Sequence, residues 1–185
     1  FDGMQAGGRT ELDLPDALQY TSFWWHGATP PNAFGFVISP RRGRSLRARL
    51  AGGEKLRVVA KIASRFYPGS FEVVDALLRG RESEGEVLLV SHLCHPMPGA
   101  HDNASGAAAL LEVATTLAGL IAAGRLPRPQ RGIRCIWVPE FTGSYAWLAD
   151  HEAEVLAGRW IAGLNLDMVG ANQCLTNGVW KIVGL

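Results

Sequence analysis

Three short, continuously apolar runs constrain the fold most: Val87–Val90, Ile133–Val138 and Trp160–Leu166. Each is too short for a helix, and each is apolar on consecutive rather than alternate positions, as a strand buried on both faces requires. Between them lie Ser105–Ala123, rich in Ala and Leu, and Ser144–Ala157, both with the pattern of helices. Strand, long helix, strand, helix, strand predicts an α/β fold with parallel strands and crossover helices. Open sheets of that kind carry their chemistry beyond the carboxyl ends of the strands.

The remaining chain reads less regularly. Residues 1–32 are rich in Gly, Pro and polar residues and are expected to be loop, with an aromatic cluster at Phe23, Trp24 and Trp25. Phe34–Ser39 is a strand candidate. Ser45–Ala51 is a short helix candidate ended by Gly52-Gly53, within an arginine-rich stretch best read as a solvated face. Leu56–Ser64 and Phe71–Leu78 are predicted strands joined by a turn at Tyr67-Pro68-Gly69-Ser70. Arg79–Glu86 and Leu126–Gly132 are expected loops, and Val179–Val183 a fourth candidate strand of the apolar kind. The division expected is a loop-rich segment, 1–55, followed by a catalytic core, 56–185.

Composition removes several function classes. A formal charge of +1, from 18 basic and 17 acidic side chains, gives no electrostatic footprint for nucleic acid. With 48% hydrophobic residues the chain is not a disordered one. No uninterrupted apolar stretch approaches the roughly 18 residues of a membrane helix, so no membrane partner is expected. Cys94, Cys135 and Cys174 form neither a CxxC pair nor a disulfide framework. That usage, and the lack of a visible signal peptide, gives a cytoplasmic expectation. The chain begins at Phe1 rather than Met and stops after an apolar run, so it is expected to be a fragment.

The residues following each strand carry the chemistry. The first run leads into Ser91-His92-Leu93-Cys94-His95-Pro96, then Gly99-Ala100-His101-Asp102-Asn103-Ala104-Ser105-Gly106. The second leads into Pro139-Glu140-Phe141-Thr142-Gly143-Ser144, and the third ends in Asn165-Leu166-Asp167-Met168-Val169-Gly170. Taken alone, His92 would be an ordinary satisfied polar residue, Asp102 a capping residue and Glu140 a helix N-terminal carboxylate. Asp167 at the end of an apolar strand needs a partner. Together, one His and several carboxylates at one sheet edge match the N/O donor set of a hydrolytic zinc site. Gly99 permits a tight backbone path, and Gly106 a close approach of helix to sheet. A Cys94–His nucleophile is the competing enzymatic reading. In it, alternation puts His92 and Cys94 on one strand face and His95 on the other.

The run Gly99–Gly106, followed by Leu110-Leu111-Glu112, resembles the hallmark of the di-zinc aminopeptidases, metallopeptidase family twenty-eight. The segments around His92, Glu140–Ser144 and Asn165–Gly170 follow in that family's order. The variants His92–Pro96 and Pro139–Ser144 are closer to a sub-branch of aminopeptidase-like bacterial proteins. The resemblance covers about residues 56–185. It implies a three-layer α/β sandwich with a mostly parallel central sheet, incomplete here at the C-terminus. Segment 1–55 would hold the remnant of an accessory domain. It also implies two zinc ions: Asp102 bridges both, His92 and Asp167 complete the first site, and Glu140 is a ligand of the second or the general base. A cis peptide after Asp102 is implied as well. The implied activity is hydrolysis of an N-terminal peptide or other amide bond by zinc-activated water. The alternative is a catalytically inactive relative that binds peptide or metal.

The chain departs from that family's pattern in three places. Cys94 stands where a supporting carboxylate is usual. Glu140 is a single glutamate where two are usual. No His after Asp167 supplies the last zinc ligand; either the chain is truncated, which is the expectation adopted, or His95 or His101 substitutes. Cys94, His95 and His101 are therefore additional candidates for ligands or supporting groups.

Overall fold

The computed structural model describes residues 15–18, 34–65, 67–82 and 84–172. The chain divides into two compact units, Phe1–Arg65 with Asn172–Leu185, and Phe66–Ala171.

In the first unit the described regular element is helix α1, Pro40–Ala51. It begins five residues before the predicted Ser45 because Ser39-Pro40 is itself a start signal. The Arg42 amide donates to Ser39 Oγ at 3.4 Å, and proline occupies the first helical position, where its missing N–H costs nothing. Gly52 ends it and Gly53 follows at φ +82°. Arg49 Nε donates to Glu54 Oε2 at 2.7 Å across that turn. Two strand predictions fail here. Phe34–Ser39 is irregular, with Phe34 and Phe36 meeting edge to face at 6.0 Å. Leu56–Ser64 also joins no ladder among the described residues, and Val58 and Val59 are 80% and 84% exposed. Apolar alternation specifies a strand only where a partner and a core receive it. The aromatic cluster at residues 23–25 and the Val179–Val183 candidate lie outside the described residues.

The second unit is a mixed α/β fold around an open, mostly parallel four-stranded sheet. In chain order it contains β1 (Val74–Leu78), β2 (Glu86–His92), a kinked turn (Ala100–Ser105), α2 (Gly106–Ala122), β3 (Gly132–Val138), α3 (Thr142–Asp150), α4 (Glu152–Leu156) and β4 (Trp160–Asn165). The sheet order is β1-β3-β2-β4. β2 runs parallel to both β3 and β4, and β1 runs antiparallel to β3. β1 is shorter than predicted, beginning at Val74 instead of Phe71. The three apolar runs are thus the three parallel strands, and their carboxyl ends share one edge.

Strand alternation sends two apolar sets to opposite faces. On one, Leu110 of α2 packs with Cys135 and Trp137, flanked by Leu89, Ala107, Ala114, Ile133 and Leu166. Trp137 Nε1 donates to the Ala107 carbonyl at 3.1 Å, so the indole buries its ring without losing its hydrogen bond. On the other, Trp147 of α3 packs with Ile136 and Val138, flanked by Val73, Leu88, Val90 and Trp160. The helical run Ala100–Ala122 is, by length and composition alone, apolar enough to cross a membrane, with mean hydropathy 1.6. Counting uninterrupted apolar residues missed this, because isolated polar residues break the run without lowering its mean. Its inward stripe is the one that packs on the sheet.

The predicted helix Ser144–Ala157 is two helices. His151 separates them at φ −113°; its Nδ1 lies 2.8 Å from the Trp147 carbonyl and its ring stacks on Trp147 at 4.2 Å. The side chain competes for a carbonyl that a continuing helix would use.

Opposite the carboxyl edge, Glu86 starts β2 and is only 3% exposed. It accepts from Arg134 Nε at 2.7 Å and from Arg159 Nη2 at 2.8 Å, while Arg134 also grips both oxygens of Asp75. Burial pushes the Glu86 carboxyl up, but the hydrogen bonds and charges of Arg134 and Arg159 outweigh it and hold it below its usual range. Its contribution is therefore complete above the unfolded pKa of about 4.3 and is lost as pH falls through the lower folded value. Glu86→Gln should cost about 3 kcal/mol at pH 7, since it leaves two guanidinium groups underpaired. Thermal unfolding of both proteins between pH 7 and pH 3 should show the gap closing towards acid. A gap independent of pH would show that the carboxylate charge is not what stabilises β2.

Candidate metal centre

β2 delivers His92 as its last residue, where the side chain is 5% exposed. The backbone stays in the sheet one step further, with the Leu93 amide donating to the Val138 carbonyl at 2.9 Å. His92 Nδ1 lies 2.8 Å from the Cys94 carbonyl. That acceptor fixes the proton on Nδ1 and leaves Nε2 with a lone pair. Nε2 is 3.1 Å from Asp102 Oδ1 and 3.4 Å from Asp167 Oδ1. Neither approach makes a hydrogen bond: His92 Nε2 and Asp167 Oδ1 are both buried without a partner among the described residues. Unpaired buried polar atoms are costly, and an imidazole lone pair facing two carboxylate oxygens is doubly so.

A cation resolves that conflict. Two N/O ligands about 2.0–2.1 Å from zinc, at a tetrahedral angle, lie about 3.4 Å apart. The spacings around His92 Nε2 match that value. His92, Glu140 and Asp167 also place one ligand atom each within 4.8 Å of one another. Glu140 is the more distant member. Among the described residues it makes no ion pair with His92, so its ligand atom lies between 4.0 and 4.8 Å from the imidazole.

Local backbone geometry aims the carboxylates. Glu140 and Asp167 are each followed by a non-glycine residue at positive φ, Phe141 at 51° and Met168 at 52°. A bulky residue in that region costs on the order of 1–3 kcal/mol, and such strain concentrates at functional sites. At Phe141 the chain reverses into α3, whose first turn packs so tightly that a Cβ on Gly143 would sit 2.4 Å from Pro139 Cδ. Asp102 lies in the kinked turn before α2, and the Asp102–Asn103 peptide is cis. Both glycines flanking this turn are required by close approach. A Cβ on Gly99 would fall 1.9 Å from the Asp102 carbonyl oxygen, and one on Gly106 2.1 Å from that of Leu166.

Asn103 is the hub that the sequence reading missed. Its side chain is 4% exposed overall. Nδ2 lies 3.1 Å from Ser91 Oγ, 3.3 Å from the His92 carbonyl and 3.1 Å from the Leu166 carbonyl. Oδ1 accepts from the Gly106 amide at 3.2 Å and the Met168 amide at 3.0 Å. One amide therefore ties together the end of β2, the segment after β4 and the start of α2, which carry His92, Asp167 and Asp102.

The other candidates separate. Cys94 contacts both neighbouring segments: its carbonyl lies 2.8 Å from His92 Nδ1, and its Sγ accepts from the Glu140 amide at 3.0 Å. His92 addresses the Cys94 carbonyl, not the thiol, which leaves the Cys–His nucleophile without its hydrogen bond. His95, placed on the wrong face by alternation, comes within 3.4 Å of Asp102 Oδ2. Alternation ends with the strand at His92, and the loop is free to turn His95 back. No ion pair joins His101 to the cluster among the described residues; its carbonyl accepts from Ser105 Oγ at 2.7 Å. A cavity of about 300 Å³ opens beside the group, lined by His92, Glu140 and Asp167, with Phe141, Ser144 and Asn165 at its side.

The fold and this group define a mixed α/β chain with a histidine–carboxylate cluster at the carboxyl edge of its parallel strands. The family model described as "Domain of unknown function (DUF4910)" matches residues 14–178, and the chain belongs to that family. No curated protein matches the chain. Among solved structures, one from Clostridium acetobutylicum described as a "putative peptidase" is similar at 29% identity and a TM-score of 0.43. The match covers 50% of this chain and 19% of that one.

Proposed function

We propose that the chain carries the centre of a zinc-dependent, aminopeptidase-like hydrolase on a zinc-exopeptidase-like three-layer sandwich, acting on the amide bond at a free peptide N-terminus. The observation that carries this reading is the pair of orphaned buried atoms, His92 Nε2 and Asp167 Oδ1, 3.4 Å apart, with Glu140 offering a third ligand atom within 4.8 Å and Asp102 Oδ1 3.1 Å from His92 Nε2. A divalent cation there supplies a Lewis acid and lowers the pKa of water to about 7. The mixed nitrogen and oxygen donor set supports zinc. The order and wording of the segments around His92, Asp102, Glu140 and Asp167, which resemble the di-zinc aminopeptidases, support the N-terminal amide as substrate.

In this reading His92, Asp102 and Asp167 hold position and exchange no protons. Glu140, set back by more than an ion-pair distance, takes a proton from water and returns it to the leaving amine. The Cys94 thiol, by accepting from the Glu140 amide, fixes that backbone relative to the His92 loop. Phe141 and Ser144 border the cavity where the substrate would lie.

The test uses the full chain, purified without chelator and incubated with zinc. Release of amine from aminoacyl amides should appear, stop on chelation and return with added zinc. N-acetylated versions of the same amides should remain intact. Failure to take up zinc, or hydrolysis indifferent to chelation, would overturn the reading. Zinc uptake without turnover of any aminoacyl amide would point instead to the non-catalytic peptide- or metal-binding alternative.

A further inference from the structure

The amino edge of the sheet has a cavity of its own. It lies at the start of β2, about 20 Å from His92 by the rise of the strand between them. The chain leaving β1, the starts of β2 and β3, and Arg159 just before β4 leave a space of about 220 Å³. That is below the roughly 300–1,000 Å³ of pockets for drug-sized ligands, so the fit is to a small molecule. Its charged lining is Arg79, Arg81, Glu82, Glu86 and Arg159.

The charges of this lining leave a positive surplus. Both carboxylates are already taken: Glu86 by Arg134 and Arg159, and Glu82 by Arg131 Nη1 at 3.0 Å and Gln130 Nε2 at 2.5 Å. Arg79 and Arg81 are exposed, and neither guanidinium has a hydrogen bond or ion pair among the described residues. Arg159 is fixed through Nε and Nη2, at 3.2 and 2.8 Å from Glu86 Oε1, and its Nη1 has no partner among the described residues. The wall that carries the two unpaired arginines is itself pinned. The Arg81 and Glu82 amides donate to the Pro129 and Gln130 carbonyls, each at 2.9 Å. Arg128 Nη1 donates to the Arg79 carbonyl at 3.0 Å and adds a further positive charge beside it. Between them Gly80 lies so close to the start of β3 that a Cβ would sit 2.5 Å from the Arg131 carbonyl carbon.

We propose that this cavity binds the phosphoryl group of a small phosphate-bearing ligand, met by Arg79, Arg81 and Nη1 of Arg159. A phosphoryl group presents three acceptor oxygens and carries a charge of about −1.5 to −2 at pH 7, which suits several guanidinium forks better than a carboxylate does. Glu86 sets the plane of Arg159, its own charge being shared between two guanidiniums. The site is separate from the metal centre and does not rest on the zinc reading.

The test is calorimetric titration of the full chain with inorganic phosphate, glycerol 3-phosphate and acetate at constant ionic strength, with and without a chelator. Phosphate or its ester should bind with a Kd in the millimolar range or tighter, unaffected by chelation. Acetate should bind at least about 10-fold more weakly, and the double variant Arg79→Gln, Arg81→Gln should weaken phosphate by at least about 10-fold, since a hydrogen bond to a charged group is worth that much. Those two side chains touch nothing in the fold, so circular dichroism of the variant should be unchanged. Tighter binding of glycerol 3-phosphate than of inorganic phosphate identifies a phosphate ester as the ligand; otherwise it is the free ion. No binding of either phosphate, full binding in the double variant, acetate bound as tightly as phosphate, or binding lost on chelation would overturn the site.

Discussion

Asn103→Ala should destabilise the unit Phe66–Ala171 by about 4 kcal/mol and weaken zinc binding by roughly 10- to 100-fold. The substitution removes five hydrogen bonds at once and takes their side-chain partner from the Met168 amide and the Leu166 carbonyl, while the Gly106 amide keeps the backbone carbonyl of residue 103. A buried group left unsatisfied costs about 1–3 kcal/mol, which sets the size of the effect. The binding loss has a separate cause: His92, Asp102 and Asp167 sit on three segments that this one amide ties together, the Ser105 hydroxyl joining only two of them. Asn103→Asp should be nearly as damaging, because an oxygen would then face Ser91 Oγ and two carbonyls. Urea unfolding of the zinc-free proteins checks the stability, and competition with a chromophoric chelator checks the affinity. A change of less than about 1 kcal/mol would mean the three segments are held by the sheet without this residue.

Glu140→Gln should lower turnover by about 10³-fold while leaving zinc content unchanged. The amide keeps the shape of the side chain and cannot accept a proton. The backbone around residue 140 has its own supports: the Cys94 thiol accepts from its N–H, and its carbonyl accepts from Thr142 Oγ1 at 3.2 Å. The fold should therefore survive the substitution. Loss of zinc together with activity would reassign Glu140 as a ligand. Full activity would remove it from the mechanism, and the proton would have to go elsewhere.

β2 and β3 were legible in the sequence because burial on both faces writes an unambiguous pattern, and Val87–Val90 and Ile133–Val138 lie within them; β4 takes its predicted place but, as the last strand on its side of the sheet, is largely exposed instead of buried on both faces. The order His92, Asp102, Glu140, Asp167 was legible because each follows a strand or precedes a helix, and parallel strands bring such points to one edge. Leu56–Ser64 misled because a strand is a property of pairs, and its partner was assumed. The α1 start was written in Ser39-Pro40 but outweighed by the arginines that follow. The helix break at His151 depends on its ring finding Trp147, a tertiary contact. The face of His95 was misjudged by extending strand alternation past the last strand residue. Asn103 escaped notice for another reason: its partners lie 11, 12, 63 and 65 residues away in the chain. A buried amide linking such distant backbone has no signature in local composition.

The two glycines flanking the Asp102 turn divide the neighbourhood into positions closed to change and positions open to it. At 99 and 106 even a methyl group would meet a carbonyl oxygen, so both positions are closed to every residue but glycine. Phe141 differs: it is 45% exposed and stands on the cavity wall beside Ser144. Ser144, four residues beyond Glu140 in the first turn of α3, gives natural variants of this chain a place from which to reshape the cavity. Divergence in what such chains accept should accordingly accumulate at residue 144, while glycine persists at 99 and 106.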